Sequence, residues 1–191
     1  MKHTVVALVE DRPGVLNRVA SLFRRRGFNI DSLAVGTTEE AGISRMTIVV
    51  DGGVGIVDQV EKQLNKLIDV VRVEDLTNAE AVVRELALVK VRCNAEQRRE
   101  VLDLVEIFRA HVVDVSPEHL TIEISAEQDR TDALLQNLHP FGILELVRTG
   151  RVAMLRGAGT TAIHEAEPED ALRFHTESGR LPEGTLPHVS D

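Results

Sequence analysis

The sequence predicts an α+β fold: two copies of a β-α-β-β-α-β unit in tandem, the second degenerate, followed by a flexible C-terminal tail. Three observations carry this expectation. Short β-branched runs alternate with segments of helical periodicity from Thr4 to Leu76. The same order restarts at Glu85. From about Gly157 the texture changes to Gly, Pro, Glu and Asp with little apolar periodicity.

In the first copy, "TVVALV" (Thr4 to Val9) reads as a strand. Pro13 suits a first helical turn, where its missing N–H would be unpaired anyway. Asp11 is the better candidate cap. Val15, Leu16, Val19, Leu22 and Phe23 recur at helical spacing, so an amphipathic helix is expected from Pro13 to Arg26. Arg24-Arg25-Arg26 places cations at the negative end of the helix dipole, and Gly27 stops the helix. "FNIDSLAV" (Phe28 to Val35) follows as a half-buried strand with few charges, the expected sheet edge. "TTEEAG" (Thr37 to Gly42) makes a hairpin loop and "ISRMTIVV" (Ile43 to Val50) the returning strand. Ile56, Val57, Val60, Leu64, Leu67 and Ile68 mark a second helix, and "VVRVEDL" (Val70 to Leu76) closes the unit. This order is a split βαβ, or ferredoxin-like, unit.

The second copy is expected in "ELALVKV" (Glu85 to Val91), the helix and strand within "RREVLDLVEIFRAHVVDV" (Arg98 to Val115), "HLTIEIS" (His119 to Ser125), "RTDALLQNL" (Arg130 to Leu138) and "GILELVRT" (Gly142 to Thr149). Ile107-Phe108-Arg109 matches Leu22-Phe23-Arg24. The Pro-Gly turn is missing here. Its counterpart is "RCNAEQRR" (Arg92 to Arg99), so the copies are expected to share a fold and not a site. The bounds are 1–77 for the first domain, 78–84 for a linker, 85–157 for the second domain and 158–191 for a largely disordered tail, partly helical around Asp170 to Phe174.

Bulk composition excludes several functions. The formal charge of −9 opposes general affinity for nucleic acid phosphates or anionic lipid. With five Phe and no Trp or Tyr, the chain lacks aromatic faces for stacking bases. No apolar run approaches the roughly 20 residues of a membrane helix. A single cysteine, Cys93, rules out an internal disulfide framework and fits a cytoplasmic protein; at a strand end it reads as a small core residue. The seven histidines show no close His/Cys ligand spacing, so no metal is expected. Neither "DGGVG" nor "RGAGTT" has the lysine of a phosphate loop, and no nucleophile elbow is present. No catalytic constellation emerges.

The strand-to-helix loop "VEDRPGVL" (Val9 to Leu16) survives this elimination. A helix N-terminus offers unpaired N–H groups and partial positive charge to a carboxylate. Gly14 has no Cβ to keep a small ligand from the backbone. Asn29 begins the next strand with an amide that donates and accepts, which suits an α-amino acid. The alternative is ordinary turn chemistry, and spacing alone leaves both open.

The residues "VALVEDRPGVLNRVASLFRRRGFNIDSLAVG", "ISRMTIVV", "VEKQLNKLIDVVRVEDL", "ELALVKVRC", "EIFRAHVVDV" and "TIEISAEQDRTDAL" resemble the small-subunit family of acetolactate synthase (acetohydroxyacid synthase) over roughly residues 1 to 157. Pro-Gly-Val-Leu alone marks an ACT domain; "GFNIDSL", "SRMTIVV" and "KQLNKL" together point to this subunit. The resemblance implies a non-catalytic regulatory chain in branched-chain amino acid biosynthesis. It would activate a catalytic subunit dependent on thiamine diphosphate and Mg2+, with FAD in some members, and confer feedback inhibition by valine or a related amino acid. It also implies a homodimer through the ACT domain. The effector positions would be Asp11, Gly14, Val15 and Leu16, with Asn29 and Ile30 contributed across the dimer interface. Many members carry Asn where this chain has Asp11, which would cap the helix or hold the effector's ammonium. Two other functions compete: a stand-alone amino-acid-sensing regulator and a small ferredoxin-like hydrolase.

Overall fold

The computed structural model describes residues 1–53 and 55–163. The first copy runs β1 (Lys2–Glu10), α1 (Val15–Arg26), β2 (Asn29–Thr37), β3 (Ile43–Asp51), α2 (Ile56–Leu64) and β4 (Val70–Asp75). Its strands form an antiparallel sheet in the order β2-β3-β1-β4. The second copy runs β5 (Ala81–Arg92), α3 (Arg98–Phe108), β6 (His111–Val115), β7 (His119–Ala126), α4 (Gln128–Leu138) and β8 (Ile143–Arg148). Its order, β6-β7-β5-β8, repeats the first. The expected pair of ferredoxin-like units is therefore present, and β2 lies at a sheet edge.

Each sheet buries one face under its two helices. In the first, alternate residues Val5, Ala7 and Val9 of β1 and Met46, Ile48 and Val50 of β3 meet Val15, Val19 and Phe23 of α1 and Val57, Val60 and Leu64 of α2. Phe23 stands edge-on to Phe28 with ring centroids 5.6 Å apart. Each such buried side chain contributes roughly 1.5–3 kcal/mol, so the facing stripes hold the helices to the sheet far more firmly than helix propensity would. The second core repeats the pattern with Ala87, Val89, Val91, Leu120, Ile122 and Ile124 under Val101, Val105, Leu134 and Leu138. Cys93 belongs to this core and is fully buried.

Several expectations need correction. α1 starts at Val15, not Pro13, and its N-cap is Gly14 with no side-chain cap; Asp11 is exposed and caps nothing. The chain must turn through Gly14 before helical bonds can begin, which sets Pro13 outside the helix. α2 stops at Leu64: Leu67 still packs on the core, while Ile68 is 95% exposed. The repeat register is also different. α1 ends on Gly27 and α3 on Arg109, both left-handed, and buried Val101 and Val105 take the places of Val19 and Phe23. Ile107, matched in sequence to Leu22, is 67% exposed.

One strand was not expected. β9 (Val152–Leu155) pairs with Ala81–Arg84, so β5 begins four residues before the expected Glu85. The ribbon so formed lays Val83, Ala153 and Leu155 on Val6 and Leu76, on the first sheet's outer face. Arg45 of β3 reaches the same ribbon, its Nη2 donating to the Ala153 carbonyl at 2.6 Å. Both copies belong to one compact unit, Met1–Thr161. The helix expected around Asp170 to Phe174 lies outside the described residues.

Candidate functional site

The loop between β1 and α1 is pinned from below. Asp11 N–H donates to the Gly42 carbonyl at 2.7 Å and Glu10 N–H to the Asp69 carbonyl at 2.9 Å. Arg12 folds back onto Glu10 in an ion pair of 3.0 Å. Gly14 then adopts φ 89°, ψ −8°, left-handed backbone that costs other L-residues about 1–2 kcal/mol. The turn throws Val15 inward, where it is buried, and leaves Leu16 half-exposed on the first helical turn.

The helix opens without a lid. The Val15 and Arg18 amides reach the Arg12 and Gly14 carbonyls, but those of Leu16 and Asn17 find no acceptor among the described residues. These groups carry the positive end of the helix dipole toward solvent, where an anion is stabilised.

Sequence reasoning missed two residues at this loop. Arg18, one turn into α1, makes a two-pronged ion pair with Asp69, the residue before β4: Nε to Oδ2 at 2.6 Å and Nη2 to Oδ1 at 2.9 Å. Asp69 is buried, so its charge requires this partner. The two are 51 positions apart, and no local pattern signals such a pair.

Of the six expected site residues, Asp11, Gly14, Val15 and Leu16 share this loop, and Asn29 and Ile30 do not. β1 pairs Glu10 with Ile43 and Lys2 with Asp51, and Asn29 also pairs with Asp51. Asn29 therefore sits at the opposite end of the sheet, eight strand steps or roughly 26 Å away. Asn29 is exposed and Ile30 packs partly on the core. The ladder slips between Ile30 and Ser32, and the extra residue, Asp31, pairs with Lys2 at 2.9 Å.

Cavities of about 520 Å³, lined by Arg84, Arg109 and Arg130 among others, and about 300 Å³, between Lys2, Asp31, Arg148 and Arg151, lie elsewhere. None of the six residues lines either one. Among the described residues no group of three or more His, Cys, Asp or Glu is placed to hold a metal ion, and no helix is long and apolar enough to cross a membrane. The loop carries free amides, the Arg18 cation and the exposed Asp11, and the space over Gly14 is open except toward Arg18 Nη1. That set suits holding a small zwitterion.

Comparison with known proteins agrees across the chain. Residues 6–72 match the family model of the acetohydroxyacid synthase small subunit-like ACT domain, and residues 84–157 match that of the small subunit of acetolactate synthase. A protein of Archaeoglobus fulgidus named "Probable acetolactate synthase small subunit" is 54% identical over 157 residues, 82% of this chain and 98% of the relative. The "Acetolactate synthase small subunit" of Mycobacterium bovis is 52% identical over 155 residues, 81% of this chain and 92% of the relative. The crystal structure of the acetolactate synthase small subunit from Thermotoga maritima superposes with a TM-score of 0.77 at 43% identity, covering 83% of this chain and 99% of that one. The chain belongs to the acetolactate synthase small-subunit family, whose members are the regulatory, non-catalytic partners of the catalytic subunit in branched-chain amino acid synthesis.

Proposed function

We propose that this chain activates an acetolactate synthase catalytic subunit and makes it sensitive to feedback inhibition by valine or a related branched-chain amino acid. Residues 1–77 act as the effector-binding and dimerising domain, 78–84 as the connection and 85–157 as the second domain. Thiamine diphosphate, Mg2+ and, where present, FAD reside on the catalytic partner, in the cytoplasm. The chain itself engages neither nucleic acid nor membrane.

The observation that carries this reading is the uncapped start of α1 over Gly14. The effector's carboxylate lies against the free amides, its ammonium against Asp11 and its side chain against Leu16, while the buried Val15 fixes the turn to the core beneath. Asn29 and Ile30 are too far away in the same chain to help, and the edge position of β2 supplies a way around this. An unpaired edge seeks a partner. When β2 pairs antiparallel with β2 of a second copy, the partner strand is turned end for end. The partner's Asn29 and Ile30 then arrive at the end of the sheet that holds Gly14. Each homodimer thereby gains two equivalent sites, both spanning the interface.

The test is reconstitution with the cognate catalytic subunit, followed by titration with valine, leucine and isoleucine, alongside sedimentation of the chain alone. The expected result is a dimer, a raised partner rate and inhibition by at least one of the three. Asn29→Ala weakens that inhibition by about tenfold, the loss of one polar contact. An unchanged partner rate at saturating chain, or a monodisperse monomer at micromolar concentration, overturns the proposal.

A further inference from the structure

The ion pair between Arg18 and Asp69 uses only part of the guanidinium. Nε and Nη2 are taken up by the two carboxylate oxygens, and Nη1 has no partner among the described residues. A carbon placed where Gly14 lacks its Cβ would stand 3.7 Å from Nη1, with no other heavy atom beyond its chain neighbours within 4 Å. The space over Gly14 is therefore open except toward one cationic nitrogen. Asp69 holds that nitrogen there: a fork engaged on two prongs fixes the guanidinium plane and with it the direction of the third.

We propose that Arg18 selects the effector by its carboxylate, through Nη1, with Asp69 as the positioning residue behind it. This rests on the reading of the β1–α1 loop as the effector site. The free Leu16 and Asn17 amides and Nη1 converge on one anion, while the exposed acid at the loop, Asp11, is left for the ammonium; Glu10 is already engaged by Arg12. The site is thus selective for ligands with a free α-carboxylate over the same ligands with that group neutralised. The ligand class is the α-amino acid, and its amide is excluded.

Calorimetric titration of the full chain with valine and with valinamide tests this. Both ligands keep the ammonium and the side chain, and they differ only at the group assigned to Arg18. The native chain is expected to favour valine by about ten- to hundredfold, the worth of a charge-assisted hydrogen bond. Arg18→Gln lowers valine affinity by about the same factor and leaves valinamide nearly unchanged, so the preference collapses. Because Arg18→Gln strands the buried Asp69 carboxylate, the pair Arg18→Gln with Asp69→Asn is measured beside it. That pair keeps two hydrogen-bonding amides in place of the ion pair, and the same collapse is expected. Equal weakening of both ligands in either protein means that Arg18 only shapes the loop, and overturns the proposal. A Gly14→Asp chain that binds valine as the native one does overturns instead the reading of the loop, separating the two failures.

Discussion

The two strand-to-helix loops occupy the same place in two copies of one fold, and neither helix carries a side-chain cap, but the chain approaches them through differently built turns. In the second copy Asn94 folds its side chain over the turn before α3, its Oδ1 accepting from the Glu96 and Gln97 amides at 3.1 and 2.9 Å, while the N-cap itself, Gln97, makes no side-chain cap bond. In the first, Gly14 has no side chain to offer and the amides stay open. A short polar side chain that satisfies the amides of such a turn stiffens the approach to a helix, and Gly14 offers no such side chain. The bare turn keeps the space over Gly14 open, apart from the Arg18 guanidinium, where a small ligand has room.

The buried acids repeat this contrast. Glu85 of β5 is held by Arg148, as Asp69 is by Arg18, but Arg148 spends both terminal nitrogens, Nη2 on Glu85 and Nη1 on Asp132. Burial pushes the Arg148 pKa down; the two carboxylates outweigh it and leave the guanidinium held more firmly charged than usual. One arginine is a closed structural pair. The other keeps a prong in reserve.

The comparison can be broken at four points. Gly14→Asp should have the largest effect, a loss of valine affinity of about a hundredfold or more. Its carboxylate would occupy the space facing Arg18 Nη1 and mimic the ligand, and its left-handed backbone adds strain. Gly14→Ala separates the two causes: it carries the strain without the charge. A valine titration of the reconstituted holoenzyme compares them, and equal losses would remove electrostatics from the account. Next comes Arg148→Met, which strands Glu85 in the second copy and should lower stability by about 3 kcal/mol in denaturant unfolding. An effect under about 1 kcal/mol would show that water reaches Glu85 freely.

Asn94→Ala removes the two side-chain bonds in the turn before α3 and should cost about 1 kcal/mol of stability. Valine inhibition should stay as in the native chain; a change would mean that the second loop also takes effector. The smallest effect is expected at Arg109, the one positive-φ residue other than Gly among the described residues, at φ 53°. Arg109→Gly gives α3 the ending that Gly27 gives α1 and should raise stability by roughly 0.5 kcal/mol, strain relief less the entropy of glycine. Thermal unfolding reads it, and a decrease would show that the Arg109 side chain stabilises the fold.

Local chemistry explains why much of this was legible in advance. Alternation in "ISRMTIVV" and helical spacing in "VLNRVASLF" record which residues face a core, so both sheets and all four helices could be read. The Pro-Gly turn marked the break between β1 and α1. The failures are long-range or geometric. Asp11 has the right chemistry for a cap, but the chain passes through Gly14 before helical bonds begin. β9 is only four residues long and draws its stability from the first sheet's outer face, a contact invisible within "RVAML". Arg18 gave no signal because its partner, Asp69, lies beyond two strands and a helix. The internal match failed at Ile107 because similar letters were aligned where burial should have been.

The strand β5 has a further consequence, for divisibility. Its twelve residues span roughly 40 Å without a break. Ala81–Arg84 cover the first sheet together with β9, and the rest forms the middle of the second sheet. There is no seam at which the two copies can be parted. A fragment ending before Ala81 would bare Val6 and Leu76, and alternation puts Leu8 and Val49 on that same outward face. One starting at Glu85 would leave β9 with no strand to pair. Experiments on isolated halves would thus report on damaged surfaces, stickier than any the whole chain presents. The copies look like two modules joined by a link, yet they behave as a single piece with one shared beam.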